Sequence, residues 1–314
     1  MADLFSKITG TILLRPYVFI FLLIYLLAAF SQIGWKKTSL FLLIGYLTAF
    51  FSEYSSIHTG IPYGLYHYIP TTQAKELWIA GVPFMDSLSY VFLAYCSFAT
   101  ALFLFSPLYA FRRELFILDT PSIRSSFRVL ALSAFLMTFL DIVIDPVALQ
   151  GSRWFLGQIY YYPSGGVYFG VPLSNFTGWF IAGGLMIYFL QKIDKRQVRE
   201  DHIDKFFYKL PWGSFLGVFL YIGILFFNIS ISYMIKEFPL AIVNTFYGLL
   251  FLALCFCSAL YKLEKVLSAD LQEHIEKYPN GRLAMLMGNK TFMEVSDGSK
   301  DLHQDRGQGQ DRSV

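Results

Sequence analysis

The chain has 314 residues, 55% of them hydrophobic and only 15% charged, with a formal net charge of +3. Soluble domains carry about 25% charged residues, so this composition argues against a water-soluble globular domain and for a polytopic membrane protein. The basic residues sit in short connectors and in the tail, which leaves no case for nucleic acid as a partner. The three cysteines, Cys96, Cys255 and Cys257, fall in apolar segments with neither a disulfide framework nor zinc spacing.

Taken in chain order, seven apolar stretches have the length of a membrane span, at about 16–34, 38–54, 79–106, 127–146, 173–191, 213–235 and 239–261. The expected fold class is all-α: a polytopic membrane helix bundle of about seven transmembrane helices, filling residues 1–262. Lys7 and Arg15 precede the apolar run from Pro16 to Phe30 in a layout that resembles a signal peptide. With Ser31 to Gly34 included the run reaches span length, and a retained helix is favoured. Spans two and three (38–106) and spans four and five (127–191) form two hairpins. They enter and leave the membrane in the same sense, as parallel repeats.

Orientation follows from the basic residues. Lys7, Arg15, Lys75, Arg153 and Lys236 fall on one side, and the rest of the 25 Lys and Arg fall on the other. The N-terminus is therefore expected outside and the C-terminus in the cytoplasm. Residues 263–295 mix apolar and charged side chains at helical spacing and read as a cytoplasmic, interfacial helix. Residues 296–314 lack an apolar pattern and read as a disordered tail.

A polar block occurs twice. Gly81-Val82-Pro83-Phe84-Met85-Asp86 recurs as Gly170-Val171-Pro172-Leu173-Ser174-Asn175, each with an acid upstream, Glu53 and Asp141. Polar groups within spans are costly and mark functional sites by default. Asp141 and Asp145 stand at i and i+4, on one face of the fourth span. Two carboxylates this close in a dry site cannot both ionise cheaply, which leaves an acid beside its conjugate partner. The structural alternative has one Asp capping a helix or loop and the other pairing with Arg153. Pro146 biases Asp145 out of helical geometry. For Asp86 and Asn175 the alternative is helix N-capping, and for Glu53 it is binding loop amides.

Aromatic residues crowd these groups. Most fit an interfacial belt, yet aromatic faces also stabilise cations. Tyr63, Tyr66, His67, Asp86, Tyr168 and Trp179 are the candidate substrate-binding residues. Glu53, His58 and His67 lack metal-ligand spacing, so no metal is expected. Phosphate-binding loops, dinucleotide fingerprints and a Gly-x-Ser-x-Gly elbow are absent from the sequence. The last span has no lysine before Lys262, which argues against a retinal Schiff base, and five histidines are too few for a histidine-box oxygenase.

The ordered stretches Thr59-Gly60-x-Pro62-Tyr63-Gly64-x-Tyr66-x-Tyr68, Gly81-Val82-Pro83, Asp141-x-x-x-Asp145-Pro146-Val147 and Gly166-x-Tyr168-x-Gly170-Val171-Pro172-Leu173-x-Asn175-Phe176-x-Gly178-Trp179 resemble the membrane carotenoid hydratases of the CruF type. That family includes the bisanhydrobacterioruberin hydratases. The resemblance implies a cofactor-independent, polytopic enzyme of a bacterial or archaeal cell membrane. Such an enzyme adds water across the terminal C1–C2 double bond of an acyclic carotenoid end and leaves a tertiary hydroxyl. The matching catalytic candidates are Glu53, Asp141, Asp145 and Asn175. Implied partners are a membrane-embedded carotenoid, water, the lipid bilayer and other carotenoid-pathway enzymes. Transport between the repeated hairpins, a non-enzymatic carotenoid- or lipid-binding scaffold, and another isoprenoid reaction such as cyclisation or isomerisation are the alternatives.

Overall fold

The computed structural model describes residues 2–195 and 210–288. Among them, six helices are long and apolar enough to cross a membrane: α2 (Pro16–Thr59), α3 (Phe84–Phe105), α5 (Phe127–Ala148), α6 (Leu173–Lys195), α7 (Leu216–Met234) and α8 (Phe238–Lys265). A short α1 (Ala2–Leu14) precedes them, one turn of helix, α4 (Pro121–Arg124), leads into α5, and α9 (Ser268–Lys277) follows α8. The protein is an all-α membrane helix bundle.

The expected first two spans are joined in the 44-residue α2. A straight helix of that length would measure about 66 Å, twice the thickness of a bilayer core. It is not straight. Gly34 has φ 78° and ψ 161°, outside helical geometry, and glycine adopts such a φ without a Cβ clash. Tyr17 and Glu53, from opposite ends of α2, line the same cavity, so the chain doubles back at Gly34. Counting its two arms separately, the described residues hold seven apolar helical segments.

The span limits also shift. The helix of the third span begins at Phe84, because residues 78–83 form a small hairpin of β2 (Trp78–Ile79) and β3 (Val82–Pro83). The fourth continues through Pro146 to Ala148, so Asp145 stays helical, against the expectation from its proline neighbour. The polar C-terminal segment contains α9 and a helical stretch at 282–288. Residues 289–295 and the expected disordered tail at 296–314 lie outside the described residues.

Helix α3 is the centre of the bundle. It packs against α2, α5 and α7, while α5 packs on α6 and α7 on α8. Its buried face carries small residues such as Ala94, Cys96 and Ala101 beside Tyr95 and Phe98. The outer surfaces of α7 and α8 expose Phe219, Phe226, Phe246 and Leu249, the pattern of lipid-facing helices.

The two hairpin loops meet. Strand β1 (His67–Tyr68), from the loop between α2 and α3, pairs antiparallel with β6 (Tyr160–Tyr161), from the loop between α5 and α6. Both hairpins therefore close at the same end of the bundle. At the other end, β4 (Leu108–Phe111) and β5 (Glu114–Ile117) form a hairpin. Phe116 and Leu118 pack there against Leu271, Leu283 and Met287 of the C-terminal segment.

Candidate active site

The repeated Gly-Val-Pro block is a repeated backbone device. Ala80 and Gly81 have φ 45° and 84°, and Phe169 and Gly170 have φ 48° and 90°. Each pair of positive φ values turns a two-residue hairpin, closed by Ile79 against Val82 in the first and by a Tyr168–Val171 bridge in the second. The proline then leads directly into a helix, at Phe84 and at Leu173. Asp86 and Asn175 consequently occupy the same place, the third residue of the helix. Asp86 makes no N-capping bond, and Asn175 uses its amide elsewhere.

In the second hairpin, Asn175 Nδ2 donates to Asp141 Oδ2 at 2.7 Å and to Asp145 Oδ2 at 2.8 Å. One amide thus bridges the two carboxylates presented by successive turns of α5. Asp145 accepts two more hydrogen bonds, from Tyr160 at 2.6 Å and from Tyr162 at 3.2 Å. Burial, then the Asp145 charge, holds both phenols well above their ordinary pKa, so they remain donors. Arg153, the other expected partner of the Asp pair, instead binds Glu237 and the Ile235 carbonyl.

In the first hairpin, Glu53 accepts from Tyr68 at 2.8 Å and from Ser87, the residue after Asp86. It does not bind loop amides. Burial, and next the Glu53 charge, likewise holds the Tyr68 phenol well above its ordinary range. Glu53, Asp141 and Asn175 are at most 2% exposed and Asp145 is 8% exposed, so every charge in the cluster depends on these hydrogen bonds rather than on bulk water.

The two hairpins enclose a cavity of about 140 Å³. Glu53 and Asp86 reach it from one hairpin, Asp145 and Asn175 from the other. Asp141 is fully buried and does not line it, so its contact with the space runs through Asn175. Tyr90 stacks on Trp179 with centroids 4.2 Å apart and planes 9° apart, and Tyr63 leans on both at 6.1 Å. Tyr66 packs edge-on to Tyr68 and Tyr160, between the two acid clusters. Gly178 permits the close approach of loop and helix here, since a Cβ would come within 2.5 Å of the Tyr63 ring. Tyr17, Phe21, Ile224 and Phe227 form an apolar wall from α2 and α7.

Of the expected substrate-binding residues, Tyr63, Tyr66, Asp86 and Trp179 line the cavity. His67 and Tyr168 do not. His67 alternates with Tyr68 along β1, so the inward turn of Tyr68 leaves His67 exposed, against Tyr161. Tyr168 packs outside, between Phe169 and Phe176. Sequence reasoning gave no specific role to Ser87, Tyr90 or the Tyr160 and Tyr162 donors. The alternating pair in Tyr160-Tyr161-Tyr162 carried a usable signal, because residues two apart in an extended strand share a face. Among the described residues, no group of three or more His, Cys, Asp or Glu is placed to hold a metal ion.

The arrangement combines several carboxyl groups, one amide, converging phenols and stacked aromatic faces around an apolar space. A family model described as carotenoid biosynthesis protein matches residues 13–265. No curated protein and no solved structure matches the chain. The matched stretch includes every span-length helix and both carboxylate clusters, and the chain belongs to the carotenoid biosynthesis protein family.

Proposed function

We propose that the protein is a carotenoid hydratase, adding water across the terminal C1–C2 double bond of an acyclic carotenoid end group. The observation that carries this reading is the pair of buried carboxylate clusters, one from each hairpin, facing one aromatic-lined cavity. The substrate is an apolar hydrocarbon end, so it needs no charged binding group. The cavity is smaller than the roughly 300–1,000 Å³ of a site that encloses a whole drug-sized ligand. It suits an end group, with the polyene lying along apolar helix faces.

The chemistry balances without redox change. A carboxyl proton adds to C2, the π electrons form the new C–H bond, and C1 becomes a tertiary cation. Water attacks C1 and loses its proton to a carboxylate. In this reading Glu53, with Asp86 beside it, supplies the proton. Asp145 takes the proton from water, because three donors hold its oxygens in place as acceptors. Asn175 orients Asp145 and ties it to Asp141. The stacked Tyr90 and Trp179 faces, with Tyr63, stabilise the cation. The charge distribution of the connectors supports a site end outside the cell and a C-terminus in the cytoplasm.

The test is expression in a host that accumulates an acyclic carotenoid, with mass analysis of the pigments. Wild type should convert the carotenoid to products heavier by one or two waters, and Asp145→Asn and Glu53→Gln should not. Unchanged pigment with well-folded wild-type protein would refute the hydration. A reporter fused in the 60–83 loop and found in the cytoplasm would refute the orientation.

A further inference from the structure

A second cavity lies at the opposite end of the bundle, and its chemistry is different. Its volume is about 680 Å³, several times that of the acid-lined cavity. The Gly34 reversal, the ends of α6 and α9 and the start of α4 surround it. Six Lys and Arg side chains line it against two acids, Asp119 and Asp194.

These cations divide into two sets. Arg124 is buried, bonded to Asp119 and, through Nε at 2.6 Å, to Asp194, with its guanidinium 5.3 Å from the Phe98 ring centre. Lys37 donates to Asp194 at 3.2 Å, and Arg282 donates to Glu114 at 2.7 Å. This set neutralises the acids and fixes the walls. Lys36, Lys195 and Lys277 make no ion pair among the described residues, although all three line the cavity. They come from three separate elements: the reversal, the end of α6 and the end of α9.

The same space has apolar walls. Ile33, Ile117, Trp212 and Leu283 contribute to it. A site that joins apolar surface to cations without an ion pair among the described residues, at the end of a transmembrane bundle, fits an anionic amphiphile. A free inorganic anion would use the lysines and leave the apolar walls unused.

We propose that this cavity binds the anionic, phosphate-bearing headgroup of a lipid, with Lys36, Lys195 and Lys277 as its charge contacts and Arg124 as part of the fixed wall. The site is independent of the carboxylate clusters and lies where α2 reverses and the C-terminal segment docks. An occupant there would tie α2, α6 and α9 together.

The test uses the purified full-length protein in detergent and native mass spectrometry with added phosphatidylglycerol or phosphatidylcholine. Wild type should retain phosphatidylglycerol in preference to phosphatidylcholine. The triple variant Lys36→Gln, Lys195→Gln, Lys277→Gln should bind phosphatidylglycerol about tenfold more weakly or worse. A control triple, Arg112→Gln, Lys192→Gln, Lys265→Gln, removes equal charge from exposed positions outside the cavity and should stay within about twofold of wild type. Equal losses in the two triples, or equal retention of the two lipids by wild type, overturn the proposal. Inorganic phosphate supplies the second arm. Displacement of bound phosphatidylglycerol by millimolar phosphate shows that the phosphoryl group itself is recognised, and retention shows that the whole lipid is required. Binding of neither probe overturns the site.

Discussion

The two hairpins share a backbone and differ in chemistry. Each uses a left-handed residue pair, Ala80-Gly81 or Phe169-Gly170, to turn the chain before a proline and a helix. Each sets a polar side chain at the third residue of that helix. In the first hairpin that side chain is Asp86, and the neighbouring Glu53 is held by two hydroxyls, from Tyr68 and Ser87. In the second it is Asn175, whose amide locks two carboxylates together. Exchanging an acid for an amide at equivalent positions turns a pair of neighbouring acids into a bridged, donor-rich cluster. The comparison teaches that the repeat supplies placement, while the identity of one residue sets the chemistry around it; in the proposed hydration that residue decides which half gives a proton and which half receives one.

The largest expected effect breaks the second half. Asp145→Asn keeps the shape and removes the acceptor, and product formation should fall by about a hundredfold or more, the usual range for losing a general base. Glu53→Gln should give a loss of the same order if the first half supplies the proton. A far smaller loss for Glu53→Gln would move the whole proton chemistry to the second half. Both rates are read as hydroxylated carotenoid formed per folded protein.

Asn175→Leu tests the bridge itself. It leaves two buried carboxylates without their shared donor, and the expected cost is roughly 3 kcal/mol of stability, read as a lower unfolding temperature in detergent. Ser87→Ala, its counterpart in the first half, removes a single hydroxyl donor and should cost about 1–2 kcal/mol. Similar values would contradict the difference drawn between the halves.

Smaller again is Tyr160→Phe, which takes one of three donors from Asp145 and should slow product formation by about tenfold, corresponding to about 1.4 kcal/mol. Gly81→Ala and Gly170→Ala should each cost about 1 kcal/mol, and should match, because both sites have the same left-handed backbone. A clear inequality would show that the turns are not equivalent in energy.

The polar frame was legible in the sequence because charge in an apolar segment stands out against its surroundings. Glu53, Asp141 and Asp145 were found this way, and the Gly-Val-Pro repeat placed Asp86 and Asn175. The bundle was legible from segment length, even though the two arms of α2 are separated only by a reversal at a single glycine. The β1–β6 contact was not legible, because two-residue strands carry no periodicity and pair across more than 90 residues of chain. The outward side of His67 was hidden for that reason: the strand that turns Tyr68 inward, and His67 outward, exists only once the loops meet. The apolar wall of Tyr17, Phe21 and Phe227 was also hidden, since aromatic residues on a span look alike whether they face lipid or a cavity.

The origin of the product oxygen tests the central claim most directly. Wild-type protein, supplied with an acyclic carotenoid in heavy-oxygen water under ordinary dioxygen, should place the heavy oxygen in the tertiary hydroxyl. Oxygen drawn from dioxygen, or a carotenoid recovered unhydroxylated from folded protein, would contradict the account.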